Sequence, residues 1–138
     1  MTLTKVRNQM ISGAAANVLD FGAVGDGVTD DTAAIQAAID TNNNVFFPDG
    51  HYLVSGVTSS KQINIVGQSV GGTIVENFTD GAIIFDFDQT GVSDKERRNW
   101  LFISNLTIQD SSAGSGTGIK LDQVLCFELD KLYLRGFS

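Results

Sequence analysis

Apolar residues recur in alternating pairs along this chain at a nearly constant spacing, and this repeat restricts the fold more than any other feature. The spacings are 20, 23 and 21 residues, for pairs that begin at Ile63, Ile83, Leu106 and Phe127. Alternation within a pair indicates a β-strand with one buried face. A repeat of this length is typical of solenoids, in which each coil of the chain stacks on the one before it.

The same alternation predicts which side chains face the interior from Val45 onward. Between Leu129 and Leu132 it slips by one residue, which predicts a bend onto another face of the same coil. About four coils fit between Val45 and Ser138 at this period. The predicted inward residues are Ile63/Ile65, Ile83/Phe85/Phe87, Leu106/Ile108, Ile119/Leu121, Leu125/Phe127/Leu129 and, after the bend, Leu132 and Leu134.

The repeat is preceded by a segment that combines a short apolar run, a glycine-rich turn and a helical pattern. The run Val18–Phe21 predicts a strand, and Gly22, Gly25 and Gly27 permit backbone angles that other residues resist. This arrangement predicts a sharp turn.

A helix is predicted from Asp31 to Asp40. Thr29 or Asp30 can accept its first free amide protons, and Asp31 places negative charge in the first turn. Ile35 and Ile39, four residues apart, predict one buried stripe.

The segment 17–40, together with Val45–Gly56, resembles the beginning of pectate-lyase-like right-handed parallel β-helix proteins. The resemblance implies that the helix closes the N-terminal end of the solenoid, with Asp30, Asp31, Ile35 and Ile39 as its structural cap. The predicted fold is therefore mainly β: a right-handed parallel β-helix of about four turns with a short N-terminal capping α-helix. Residues 1–16 are predicted to be a neck or linker, and residues 17–138 the N-terminal portion of a longer β-helix domain.

The lead-in Leu3–Gly13 resembles the junction that precedes the β-helix in bacteriophage tailspikes and tail fibres. The resemblance implies a homotrimer in the virion tail that attaches to host surface polysaccharide. Such proteins have a virion-anchoring domain before this junction, whereas here the junction begins at Met1, so the anchor is expected to be missing or to belong to another chain. Many such proteins also cleave the polysaccharide as lyases or hydrolases, so an enzyme is the second hypothesis. The third is a structural virion adaptor that binds no sugar.

Candidate site residues are few. Asp86 and Asp88 alternate with inward phenylalanines on one strand, at a separation of roughly 7 Å that suits a carboxylate pair in glycan cleavage. Two aspartates on an outer strand face are more often a plain solvated surface, which is the alternative. Arg97, Arg98 and Trp100 could contact an acidic sugar through charge and ring stacking, with a solvated charged loop as the default interpretation. The one histidine, His51, is predicted to be a turn residue, with a general acid or base as the alternative.

Composition excludes several classes of function. The net charge of −7 opposes binding to nucleic acid and to anionic membranes, which need Lys and Arg. The single Cys126 excludes a disulfide framework, and no metal or other cofactor is predicted. Neither a signal peptide nor a membrane-spanning run is predicted.

Overall fold

The computed structural model describes residues 15–93, 101–112 and 116–137. This part of the chain contains eleven β-strands, one 3-10 helix and one α-helix. In chain order they are β1 (Ala16–Asn17), the 3-10 helix (Val18–Phe21), β2 (Asp26–Asp30), α1 (Thr32–Thr41), β3 (Asn44–Phe47), β4 (Gly50–Val54), β5 (Val57–Ser59), β6 (Ile63–Gly67), β7 (Thr73–Asn77), β8 (Ile83–Asp88), β9 (Leu101–Asp110), β10 (Thr117–Asp122) and β11 (Phe127–Arg135).

All strand pairs are parallel, and each strand pairs with strands 20 to 40 residues away in the sequence rather than with its chain neighbour. The larger sheet has eight strands and curls, because the first half of β9 pairs with β6 and the second half with β7. Strands β5, β8 and β10 form a separate three-stranded sheet. The described chain therefore winds around an enclosed interior, as the repeat predicts.

The interior is built from columns of apolar side chains that stack in register from strand to strand. One column runs through Val45, Ile65, Ile103 and Leu129 on four successive strands. The first three of these are fully buried. Of the predicted inward residues, Ile63, Ile65, Phe85, Phe87, Leu106 and Ile108 are buried, whereas on β8 the buried neighbour is Ile84 rather than the half-buried Ile83.

The predicted bend between Leu129 and Leu132 is confirmed. Lys131 has a left-handed backbone (φ 49°), and Asn105 (φ 57°) occupies the equivalent place in β9, since Asp130 pairs with Ser104 and Leu132 with Leu106. One residue in this conformation turns the strand without ending it. The side chains on both sides of the corner therefore still face the interior.

The prediction of a strand at Val18–Phe21 was wrong, because these residues form the 3-10 helix. The Asn17 side chain accepts the Leu19 amide proton at 3.0 Å and begins that helix. Gly22, with φ 101°, ends it. The local side-chain hydrogen bond and the left-handed glycine outweigh the strand preference of three apolar residues.

Helix α1 lies within one residue of its predicted bounds and Asp31 is its N-cap residue, but the Asp31 side chain makes no capping hydrogen bond to the helix. The Asp31 carboxylate turns back and accepts the amide protons of Val24 and Gly25 at 2.7 and 3.0 Å. Asp30 instead accepts the Thr32 amide proton at 3.0 Å. Ile35 and Ile39 are buried. Asp31 therefore fastens the glycine turn to the start of the helix.

The prediction of buried side chains fails at the last strand. Leu125, Phe127, Leu129 and Leu134 are exposed, although the three within β11 continue the inward columns in register. Within the described residues, β11 pairs only with β9, so no strand covers the side of β11 that faces away from β9.

The predicted neck, residues 1–16, lies almost entirely outside the described residues and stays a prediction, as does the number of coils.

Candidate functional site: the outer faces of the stacked strands

Four neighbouring strands, β4, β7 and the second halves of β9 and β11, present polar and aromatic side chains on their outer face. Leu53, Glu76, Gln109 and Arg135 occupy one register row across β4, β7, β9 and β11. The row two residues earlier contains His51, Ile74, Thr107 and Tyr133. We refer to His51, Glu76, Gln109, Tyr133 and Arg135 as the outer platform.

Hydrogen bonds link four of these side chains in series. The Nε2 atom of His51 lies 2.5 Å from Oε2 of Glu76, and the Gln109 amide donates to the same oxygen at 2.7 Å. Nε of Arg135 donates to Oε1 of Gln109 at 2.5 Å. Because the series crosses from strand to strand, the packing of the sheet fixes the position of each side chain.

His51 lies in strand β4, so its prediction as a turn residue was wrong. Its side chain is 38 % exposed, whereas the Glu76 side chain beneath it is only 10 % exposed. Gly27 of β2 lies against the ring: a Cβ added there would lie 3.0 Å from Nδ1 of His51. The imidazole is therefore held by a buried carboxylate on one side and by a bare backbone on the other.

The three-stranded sheet has an outer face of different character, which we call the charged face. It consists of Asp86 and Asp88 on β8 and of Lys120 and Asp122 on β10, with Asp86 in register with Lys120 and Asp88 with Asp122. Lys120 Nζ lies 2.5 Å from Asp122 Oδ2 and 3.4 Å from Asp86 Oδ1. The predicted carboxylate pair therefore belongs to a group of three carboxylates around one lysine.

The ionisation of this group follows from its hydrogen bonds. Side-chain and backbone hydrogen bonds from Thr90 lower the pKa of Asp88. The hydrogen bond to Asp122, reinforced by the charges of Asp122 and Asp86, raises the pKa of Lys120. A general acid for glycan cleavage needs a raised carboxyl pKa, so Asp88 suits a base or a solvated surface group better than a proton donor.

Sequence reasoning missed most of the outer platform, and several predicted residues cannot be placed. Arg97, Arg98 and Trp100 lie outside the described residues. Glu76, Gln109 and Arg135 stand on three different strands, and Lys120 and Asp122 stand on β10 beside Asp86 and Asp88 of β8, so only the register brings each group together. The available signal was the 20-to-23-residue repeat, which aligns Glu76 with Gln109 only if the extra residues between them are assigned to loops.

Other features of the described residues do not form a site. A cavity of about 580 Å³ opens between β10 and β11, lined mainly by Ile119, Leu121, Leu129, Leu134 and Phe137, and it continues the apolar interior. No three His, Cys, Asp or Glu side chains of the described ranges are grouped to hold a metal ion. The helices in those ranges are too short or too polar to cross a membrane.

Comparison with known proteins relates this architecture to enzymes that modify polysaccharides and to a viral protein. Alginate lyase 7 of Azotobacter vinelandii is 39% identical over 121 residues, which cover 74% of this chain and 14% of that protein. Mannuronan C5-epimerase AlgE2 of the same organism is 45% identical over 89 residues, covering 55% of this chain and 8% of the enzyme. The chain thus spans a small part of the length of these relatives.

The solved structure of ORF18 from Geobacillus virus E2 superimposes with a TM-score of 0.80 at 28% identity, over 98% of this chain and 28% of that chain. Residues 15–123 match the family described as rhamnogalacturonase A/epimerase, pectate lyase-like. That match includes the glycine turn, α1 and the stacked strands up to β10. The curled parallel sheets are thus the parallel β-helix of this family, and the chain belongs to the rhamnogalacturonase A/epimerase, pectate lyase-like family.

Proposed function

We propose that this chain is a segment of a bacteriophage tailspike or tail fibre, located in the virion tail, that helps to attach the virion to a host surface polysaccharide. The observation that carries the proposal is the likeness to a viral protein over nearly the whole chain, at 28% identity. Membership of a family whose relatives include an alginate lyase and mannuronan epimerases supports a polysaccharide as the ligand. The lead-in 3–13 supports the tail assignment.

The surface of the described strands suits this role. Binding sites for extended polymers need a continuous surface with polar groups at regular intervals, and parallel strands about 4.8 Å apart provide such intervals. The outer platform offers hydrogen-bonding side chains from four neighbouring strands. The proposal further includes a homotrimer and an anchor on another virion protein.

Direct binding measurements test the proposal. The 138-residue chain is applied to an array of bacterial capsular and lipopolysaccharide glycans, and bound protein is quantified by fluorescence. We expect saturable binding to a subset of glycans, and native mass spectrometry is expected to show a trimer. A folded chain that binds none of the glycans would contradict attachment and leave the structural adaptor as the better hypothesis.

The second candidate function is a depolymerase, a lyase or hydrolase of the same family. It is favoured by the charged face, where three carboxylates and one lysine, Asp86, Asp88, Asp122 and Lys120, lie on two neighbouring strands, since an ionised carboxylate can serve as the base or nucleophile in glycan cleavage. Incubation with each bound glycan, followed by assays for new reducing ends and for unsaturated products, tests it. Asp122→Asn is expected to abolish product formation. Unchanged product formation by this variant would exclude the charged face as the active site.

A further inference from the structure

The outer platform combines three kinds of group that a sugar requires from its binding site. Its polar members include donors and acceptors: Gln109 has both, Glu76 accepts, and an arginine has five N–H donors, of which the contact from Arg135 to Gln109 uses one. Tyr133, which is 54% exposed, presents an aromatic ring beside Arg135, two residues away on the same face of β11. Amphipathic rings of this kind are common at binding interfaces.

The outer platform is also preorganised. Glu76 is only 8% exposed and receives hydrogen bonds from His51 and Gln109, while Gln109 is held in turn by Arg135. Side chains that are already fixed lose little conformational freedom when a ligand binds. A surface in which polar side chains are fixed across four strands is therefore better suited to a ligand than a row of independent solvated residues.

The charge on this surface limits what the ligand can be. The described residues include four basic side chains against fourteen acidic ones. Each of the four basic side chains has a polar partner: Lys61 donates to the Asp40 carbonyl, Lys120 lies between Asp86 and Asp122, Lys131 lies 3.9 Å from Asp130, and Arg135 donates to Gln109. On the outer platform, Glu76 offsets Arg135, and Asp26 is in register with His51.

The outer platform itself carries one arginine and one glutamate, and the chain as a whole has a net charge of −7, so a polyuronate with a carboxylate on every sugar would be repelled. An uncharged saccharide meets no such penalty, because its hydroxyl groups both donate and accept. We infer that the outer platform binds an uncharged, hydroxyl-rich saccharide. In this complex the ring of Tyr133 covers an apolar face of the sugar, while Gln109, Arg135 and His51 form hydrogen bonds with its hydroxyl groups. This inference rests on the proposed attachment function and names its site and ligand class.

The test uses the full chain on an array in which uncharged bacterial surface polysaccharides and uronate-containing ones are printed side by side. We expect preferential binding to uncharged glycans, with an affinity that changes by less than about twofold between low and high salt, because screening acts only on charged pairs. Tyr133→Ala and Arg135→Gln are each expected to weaken binding by about tenfold or more.

Two exposed residues away from the outer platform provide matched controls. Phe78→Ala removes an exposed aromatic ring between β7 and β8, and Lys131→Gln removes an exposed cation from the corner of β11. Both controls are expected to retain the wild-type affinity. Urea unfolding of all four variants separates loss of binding from loss of folding. Because Tyr133 and Arg135 are both exposed, we expect their substitutions to leave the free energy of unfolding nearly unchanged.

The outcomes separate this inference from the proposed function. Preference for uronate polymers, with affinity falling steeply as salt rises, would overturn the inference and leave attachment intact. Binding to uncharged glycans that both substitutions leave unchanged would overturn the outer platform as the site and leave attachment intact. Binding to no surface glycan would overturn the proposed function and this inference together.

Discussion

The glycine turn with α1 and the last strand β11 present the same kinds of apolar residue with opposite results. Ile35 and Ile39 of α1 are at most 1% exposed, whereas Leu129 and Leu134 of β11 are 42% and 54% exposed. Ile35 and Ile39 are part of the buried core, and Leu129 and Leu134 are in register with the buried Ile103 and Ile108. In a stacked fold the apolar side chains of one coil are buried only when a further coil or a cap packs against them. The sequence pattern therefore predicts the direction of a side chain but not its burial.

The largest expected effect tests this difference directly. Ile39→Ala removes buried methyl groups and is expected to lower the free energy of unfolding by about 2 to 5 kcal/mol, including the cavity left behind. Leu134→Ala, at an exposed position of the same columns, is expected to lower it by no more than about 1 kcal/mol. Urea unfolding followed by circular dichroism measures both. Equal losses would show that β11 is covered in solution.

The next effect concerns the fastening of the glycine turn. Asp31→Asn replaces one acceptor oxygen by an amide that faces the N–H groups of Val24 and Gly25, and is expected to cost about 1.5 to 3 kcal/mol. Asp30→Asn is the matched control, because asparagine caps a helix about as well as aspartate and less than about 0.5 kcal/mol should be lost. The comparison fails if thermal unfolding gives the two variants the same stability.

A smaller effect separates backbone strain from side-chain contact at the edge of the outer platform. Gly27 and Gly81 have φ values of 74° and 75°, so alanine should cost about 1 to 2 kcal/mol at either position. A methyl group at Gly27 would also press on His51, whereas at Gly81 it would meet no atom within 4 Å. We expect Gly27→Ala to be the less stable variant in urea and alone to shift the His51 ring resonances in NMR spectra. Identical stabilities and spectra would contradict the contact.

The smallest expected effect is a pH dependence of stability that arises from Asp110, at the end of β9. Burial tends to raise the pKa of Asp110, but hydrogen bonds from Ser112, Gly116 and Asn77 outweigh it, and the pKa lies below its ordinary value of 3.8. A carboxyl with a depressed folded-state pKa stabilises the fold above its unfolded pKa and loses that contribution as pH falls through the folded pKa. Wild-type stability should therefore fall below about pH 4.

Asp110→Asn isolates this contribution. The variant should be less stable than the wild type at neutral pH and should lose less stability between about pH 5 and pH 3, because one proton-linked group has been removed. Acid titrations of unfolding measure the slope. An unchanged slope would mean that Asp110 does not titrate in this range.

The sequence was sufficient to predict which side chains of β6 point inward and where β11 bends, because both depend on local patterns of residues. Alternation predicted the inward residues of β6, and the slip between Leu129 and Leu132 predicted the bend at Lys131. The 3-10 helix at Val18–Phe21 was missed because the Asn17 side chain competes with strand formation. The outer platform was missed because its four hydrogen-bonded residues, His51, Glu76, Gln109 and Arg135, are 25 to 84 positions apart, and only the inter-strand hydrogen bonds determine which of them are neighbours.

The corner that joins the two halves of the larger sheet has one further consequence. It contains two residues between β3 and β4, five between β6 and β7, and a single left-handed residue within β9 and β11. The strands on both sides remain in register across all these lengths. This edge of the molecule therefore accommodates insertions without disturbing the columns inside. Residues 68–72 are thus a suitable position for a variable or engineered recognition loop beside the outer platform.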